Sequence, residues 1–251
     1  AALVREQRGL LAHLRGEDSA RDWPGANWPV YQNYVDAIRY GQVDRYLANS
    51  FIYAVLITAA QLFFNVLAAY AFARMHFAGR DLLFTLLLST MMVPPAVLLV
   101  PNFMVVRDLG LVDTLWGILL PGFAGAFGVF LLRQAFLNIP AELEQAARID
   151  GCGSWGILLN VILPLSKPAL ITLGLFTFMG SWNMFEWPLV VLSNQDYYPL
   201  TVGLSFFRAE TSSDWPRIFA ASAMGAAPLI ALFLLAQRYL VGGISLSGMK
   251  T

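Results

Sequence analysis

The sequence predicts an all-α fold, a polytopic bundle of membrane-spanning helices, and three observations carry that prediction. Hydrophobic residues fill 58% of the 251 positions and charged residues only 13%, against roughly 25% charge in an ordinary soluble domain. The charges collect between apolar runs that contain no Asp, Glu, Lys or Arg, at 46–73, 82–106, 114–132, 168–185 and 218–237. Each run approaches or exceeds the ~20 residues a helix needs to cross a hydrocarbon core of ~30 Å. None shows the strict alternation of a membrane barrel strand, and a helix satisfies its own backbone hydrogen bonds in lipid.

The elements follow in order. Residues 1–45 hold six arginines and read as an extracytoplasmic N-terminal segment. Spans are expected at about 46–73, 82–106, 114–132, 165–187 and 218–238. Basic residues orient them: Arg74 with Arg80, Arg133 with Arg148 and Lys167, and Arg238 with Lys250 mark three cytoplasmic segments. The connection with Arg107, Asp108 and Asp113, and the stretch 186–217, then lie outside, and the C-terminus is cytoplasmic. A basic N-terminal segment does not normally cross alone, so this topology calls for a sixth span preceding Ala1; a cleaved signal peptide is the rival account and leaves an odd number of spans.

The cytoplasmic connection 138–164 is too polar to span and too patterned to be a linker. Pro140 suits the first turn of a helix, Glu142 and Glu144 favour its positive end, and Leu143, Ala146, Ala147 and Asp150 recur at spacings of three and four. Gly151 and Gly153 stop that helix. A second is expected from Ser154 as cap through Trp155, Leu158, Val161 and Ile162, before Pro164 and Pro168 bend the chain into the fourth span. Such a helix-turn-helix bracket suits docking into a groove on another protein, and on its pattern alone it equally suits an amphipathic helix lying on the membrane surface.

Composition excludes several functions. Net charge is zero, so no global field draws nucleic acid. The single Cys152 allows neither an internal disulfide nor a cysteine-pair metal site. No G-x-x-x-x-G-K-[ST] loop is present to cradle phosphates. Among polar residues at membrane depth, Gln61 and Asn65 lie four apart on one helix face and read first as glue between helices. Gly122, Gly125 and Gly128 read as sites of close helix approach. Trp182, Asn183 and Glu186 are the stronger solute-path candidates, because an intramembrane carboxylate usually faces a wet cavity and aromatic faces suit a sugar ring. The alternative for Glu186 is a boundary residue beside the interfacial anchor Trp187.

The bracket sequence IPAELEQAARIDGCGSWGILLNVILPLSKP resembles the signature loop of binding-protein-dependent ABC importer membrane subunits, which reads E-A-A, three residues, G, nine residues, I-x-L-P. Ala146, Ala147, Gly151, Leu163 and Pro164 match in register. Gln145 stands where the family has Glu, and Val161 where it usually has Ile. LANSFIYAVLITAA, AAYAFARMHFAGRDLLF, MMVPPAVLLVPNF, LGLVDTLWGILLP, FGVFLLRQAFLNIP, GSWNMFEWPLVVLS and QRYLVGGISLSGMK extend the similarity from about Asn33 onward. They point to the carbohydrate branch and the second membrane subunit of maltose-type systems. The family commonly places an acid at the position of Met184 and an apolar residue near Glu186.

The resemblance implies a type I ABC importer permease in a bacterial or archaeal plasma (inner) membrane. Glu144, Gln145, Ala146, Ala147, Asp150, Gly151, Leu163 and Pro164 would form the ATPase-docking loop. Its implied partners are a homologous second membrane subunit, two ATP-binding subunits that use ATP and magnesium, an extracytoplasmic solute-binding protein, a sugar-like solute and membrane lipid. No catalytic residue or cofactor is expected in this chain itself. Importers of peptides, phosphate or amino acids share the loop and remain the alternative within the class. A secondary transporter would need ion-coupling polar residues and paired broken helices from an internal repeat, and neither pattern is found.

Overall fold

The computed structural model describes residues 31–210 and 215–245, and among them every regular element is helical. Helix α1, Tyr31–Gly41, is followed after Gln42 by α2, Val43–Arg74. At 32 residues α2 is about 48 Å long, and it is the axle of the bundle. Then come α3 (Arg80–Ser89), α4 (Pro95–Asp108), α5 (Leu115–Leu119) and α6 (Ala126–Leu137). Helix α7 (Ala141–Ile149) and α8 (Ser154–Leu165) form the bracket. Helices α9 (Lys167–Trp182), α10 (Glu186–Val191), α11 (Leu200–Glu210) and α12 (Trp215–Ser245) complete the chain.

Helices α2 and α12 are each long and apolar enough to cross a membrane alone, and counting each of three bent pairs as one span gives five. The expected single helix 82–106 is in fact α3 and α4, set at 105°. Val93 is extended and Pro94 and Pro95 follow it; proline supplies no N–H and disfavours helix at the residue before it. The span expected at 114–132 bends by 43° between Gly122 and Ala126 and continues to Leu137. The span expected at 165–187 starts at Lys167, after a 79° turn, and ends at Trp182. Residues 1–30 lie outside the described residues, as do 246–251 with Lys250. The part of the N-terminal segment that is described is not loose, since α1 packs on α12 and Arg217 pairs with Asp36 at 3.6 Å.

Helix α2 packs against α6 and α9 along its length. Its three contact points with the α5–α6 bend recur every four residues: Gly122 abuts Ile57, Gly125 abuts Gln61, and Gly128 abuts Asn65 so closely that a methyl group there would overlap the Asn65 amide. Glycine at these positions removes side-chain bulk where two helices must touch. Two apolar clusters result. One, around Tyr53, Ile118, Trp182 and Val202, lies toward the end where Asp113 and Asp196 sit; the other, around Leu132, Phe136, Ile157 and Ile162, backs the bracket.

Candidate functional site

The bracket is built from local signals. Helix α7 starts just after Pro140, which stands ahead of the helix rather than in its first turn. Gly151 adopts φ +87 and lets the Cys152 N–H reach the Ala147 carbonyl at 2.9 Å, the geometry that closes a helix with a left-handed residue. Helix α8 begins at Ser154, yet Ser154 is not its cap: Gly153 precedes it and no side chain bonds the first turn. The four residues expected on one face of α7 divide. Leu143, Ala146 and Asp150 are exposed, whereas Ala147 turns inward with Glu144. Gln145 and Arg148 are exposed, and Ile149 is 87% exposed at the tip.

Glu144 does not join the outward face. Its Oε1 lies 2.8 Å from Arg74 Nε, and both side chains are largely withdrawn from solvent. The contact is a charge pair, since neither atom completes an aligned hydrogen bond. Arg74 Nη2 also donates to the Phe136 and Ile139 carbonyls at 2.5 Å each, so one guanidinium joins the end of α2, the end of α6 and the bracket. Arg133 reinforces the junction, donating to the Phe72 carbonyl and lying over the Phe84 ring. Sequence reasoning used Arg74 only to orient the chain. Its place in the last turn of α2, among the carbonyl-rich end of α6, is a tertiary relation that no local pattern carries.

The second bracket helix faces the bundle. Ile157, Leu158 and Ile162 are buried against Leu132 and Phe136, while Trp155 points outward at 66% exposure. Leu163 and Pro164 close α8 before Ser166 turns the chain into α9. Helices α7, α8 and α9 therefore form one continuous path.

That path ends at a cavity of about 300 Å³. Gln61, Asn102, Ser181, Met184, Glu186 and Trp187 are among its lining residues, with Pro95 from the α3–α4 break and Pro121 and Gly122 from the α5–α6 bend. Helix breaks at Pro94, at Gly122 and at Asn183 are what leave this space open, because each interrupts a span where a continuous helix would fill it. Of the five residues proposed for the solute path, Gln61 and Glu186 line the cavity and three do not. Asn65 is fully buried between α2 and α6, where its Oδ1 accepts from the Gly125 N–H at 3.2 Å. Trp182 is buried and donates to the Gly225 carbonyl of α12. Asn183 is exposed and donates to the Met179 carbonyl, ending α9. Even Gln61 is tied internally, its Nε2 donating to Gly122 and its Oε1 accepting from Thr177. Asn102 and Ser181 are lining residues that sequence reasoning passed over, although both stand inside stretches already singled out, VPNF and GSWN.

At the opposite end from the bracket, Trp187 Nε1 donates to the Gly117 carbonyl at 3.1 Å and fixes the cavity rim. Asp113 accepts from the Ser193 and Asn194 N–H groups, both at 2.9 Å, and Arg45 pairs with Asp196. The bundle thus has one end organised by arginines and the bracket, and another organised by aspartates.

The family model described as the binding-protein-dependent transport system inner membrane component matches residues 61–242. An arabinooligosaccharide transport system permease protein of Halalkalibacterium halodurans is 36% identical over 82% of this chain and 74% of its own length. A sulfoquinovosyl glycerol transport system permease protein of Agrobacterium fabrum is 35% identical over 88% of this chain and 79% of its own. A chain from the crystal structure of a bacterial transporter that imports the acidic polysaccharide alginate superposes with a TM-score of 0.74 at 30% identity, covering 82% of this chain and 78% of that one. The chain belongs to the family of binding-protein-dependent transport system inner membrane components.

Proposed function

We propose that this chain is the membrane permease subunit of an ATP-driven importer that moves a saccharide or saccharide-like solute, delivered by an extracytoplasmic binding protein. The observation that carries the reading is the continuous connection from an outward-facing bracket, Leu143, Ala146 and Ile149 exposed, to a cavity lined by Ser181 and Glu186. The carbohydrate-type relatives support the solute class.

In this reading the bracket docks on one of two ATP-binding subunits, which use ATP and magnesium, and a homologous membrane subunit supplies the other half of the path. Gln145, Ala146, Asp150 and Ile149 meet the ATPase. Glu144 holds the bracket to α2 through Arg74, and Gly151, Leu163 and Pro164 set its shape. Closure of the ATPases on nucleotide pushes the bracket, and the buried side chains of Ile157, Leu158 and Ile162 pass the displacement to the bundle. Arg74 and Gln61 are thirteen residues apart on α2, about 20 Å along the helix, so movement at one end reaches the cavity through a single rigid element. The bracket end faces the cytoplasm, and so does the C-terminus.

The test is reconstitution of the subunit with its ATPases, partner permease and binding protein in liposomes. ATP-dependent uptake of a saccharide that requires the binding protein is the expected result. Uptake that persists without ATP, driven by an ion gradient, would replace this reading with secondary transport.

A further inference from the structure

Among the described residues lining the cavity, Glu186 is the one charged side chain. No ion pair with Glu186 occurs among the described residues. Its neighbours divide into those whose polar groups are already committed and those that are free. Gln61 is tied to Gly122 and Thr177, and the Trp187 N–H is spent on Gly117. The side chains of Asn102 and Ser181 enter no internal hydrogen bond among the described residues.

A solute in this space therefore meets one carboxylate, one amide and one hydroxyl, set among the apolar surfaces of Met184, Leu99 and the Trp187 ring. The carboxylate is an acceptor only, so it favours solutes rich in hydroxyl donors. It also sets a negative potential in an open cavity, where Glu186 and Asn102 are both exposed and no arginine or lysine among the described lining residues offsets the charge.

We propose that Glu186 makes this half of the path selective for uncharged saccharides, and disfavours saccharides bearing carboxylate, sulfonate or phosphate. The proposal rests on the transport reading above and deepens it by assigning the charge class of the solute. The relatives give the question its point. One is named for a neutral-sugar oligosaccharide and another for a sulfonated sugar conjugate, so descent alone does not choose between the two classes.

The experiment uses the assembled importer in liposomes. The single cysteine is removed (Cys152→Ser), and a thiol is placed in the cavity with Asn102→Cys. Two methanethiosulfonate reagents of similar size, one carrying a sulfonate and one a trimethylammonium group, are reacted with it, and each rate is normalised to that of 2-mercaptoethanol. The cationic reagent is expected to react roughly tenfold faster than the anionic one. Glu186→Gln should bring the ratio near one, and Glu186→Arg should invert it. A ratio that neither variant moves, or a thiol that neither reagent reaches, overturns the proposal.

A separate readout isolates the transport reading. Modification by the neutral methyl reagent should block ATP-driven uptake. If uptake continues with the introduced thiol fully modified, the cavity is off the path and the transport assignment of this site fails, whatever the charge ratio. If uptake is blocked while the ratio ignores residue 186, only the charge selectivity falls.

Discussion

Arg74 Nε and Glu144 Oε1 stand 2.8 Å apart at the bracket end of the bundle, the arginine on the last turn of α2 and the glutamate on the buried face of the bracket helix. Both side chains are about nine-tenths buried, so removing one leaves the other charged and unpaired in a poorly solvated place. Breaking a buried pair in this way costs about 3–5 kcal/mol, whereas replacing both members with apolar residues of similar size is often close to neutral. Glu144→Ala and Arg74→Ala are each expected to lower the thermal midpoint of the detergent-purified subunit and to reduce sugar uptake per ATP hydrolysed. Arg74→Met with Glu144→Met should recover more stability than the two single losses predict. A double variant as unstable as the sum of the singles would show that the two side chains act independently.

Ile149 gives a second prediction. An isoleucine 87% exposed at the tip of a helix is an apolar surface awaiting a partner, and burying such a side chain contributes about 1.5–3 kcal/mol. Ile149→Ser should therefore weaken association with the ATP-binding subunit by roughly tenfold or more, with no loss in the thermal midpoint of the isolated subunit. Affinity measured between purified subunits checks it. Unchanged affinity would place the docking surface elsewhere on the bracket.

These two residues also mark how far the sequence could be read. The bracket was legible because its signals are local: acidic residues in a first turn, Gly151 as a stop, and a spacing that matches a family pattern. Its outward and inward faces were not legible, since Leu143, Ala146 and Ala147 share a periodicity and only the position of Arg74, seventy residues away from Glu144, decides that Glu144 and Ala147 turn in. Long apolar runs located the helices that are long and apolar enough to cross a membrane, singly or as bent pairs, because hydropathy reports the solvent a segment prefers. It does not report straightness. Pro94 with Pro95 sits inside the run 82–106 and turns it by 105°, and that turn opens the space where Asn102 becomes a lining residue. Asn65 does not line the cavity for a related reason: its i, i+4 partner Gln61 reaches the cavity, while one turn further on Gly128 brings α6 so close that Asn65 is sealed.

The Gly128 contact is itself testable. Alanine at 128 would overlap the Asn65 amide and press on Leu173, and overpacking of this kind costs about 1–3 kcal/mol. Asn65→Ala removes the obstructing amide, whose Nδ2 has no hydrogen-bond partner in any case. Gly128→Ala alone should lower the thermal midpoint, and the pair Gly128→Ala with Asn65→Ala should restore much of it. A pair that is worse than Gly128→Ala alone would mean that the Asn65 bond to the Gly125 N–H outweighs the relief of crowding.

The end of the bundle opposite the bracket carries the last prediction. Asp113 has φ +62, a left-handed conformation that aspartate and asparagine tolerate better than most side chains. From there one carboxylate oxygen accepts from the Ser193 and Asn194 N–H groups, while the Asp113 N–H donates to the Val191 carbonyl at 3.0 Å. The residue thus ties the turn before α5 to the end of α10, the same short helix that begins with Glu186 and Trp187 at the cavity. Asp113→Ala loses both accepted bonds and leaves alanine in an unfavourable backbone region, so a loss of about 2 kcal/mol is expected. Asp113→Asn keeps the acceptor and the backbone tolerance and should lose less than half as much. Asp113→Gly relaxes the backbone but still lacks the acceptor, and should fall between them. Thermal midpoints of the three variants order these terms, and an asparagine variant as unstable as alanine would show that the negative charge, not the acceptor geometry, holds the clasp.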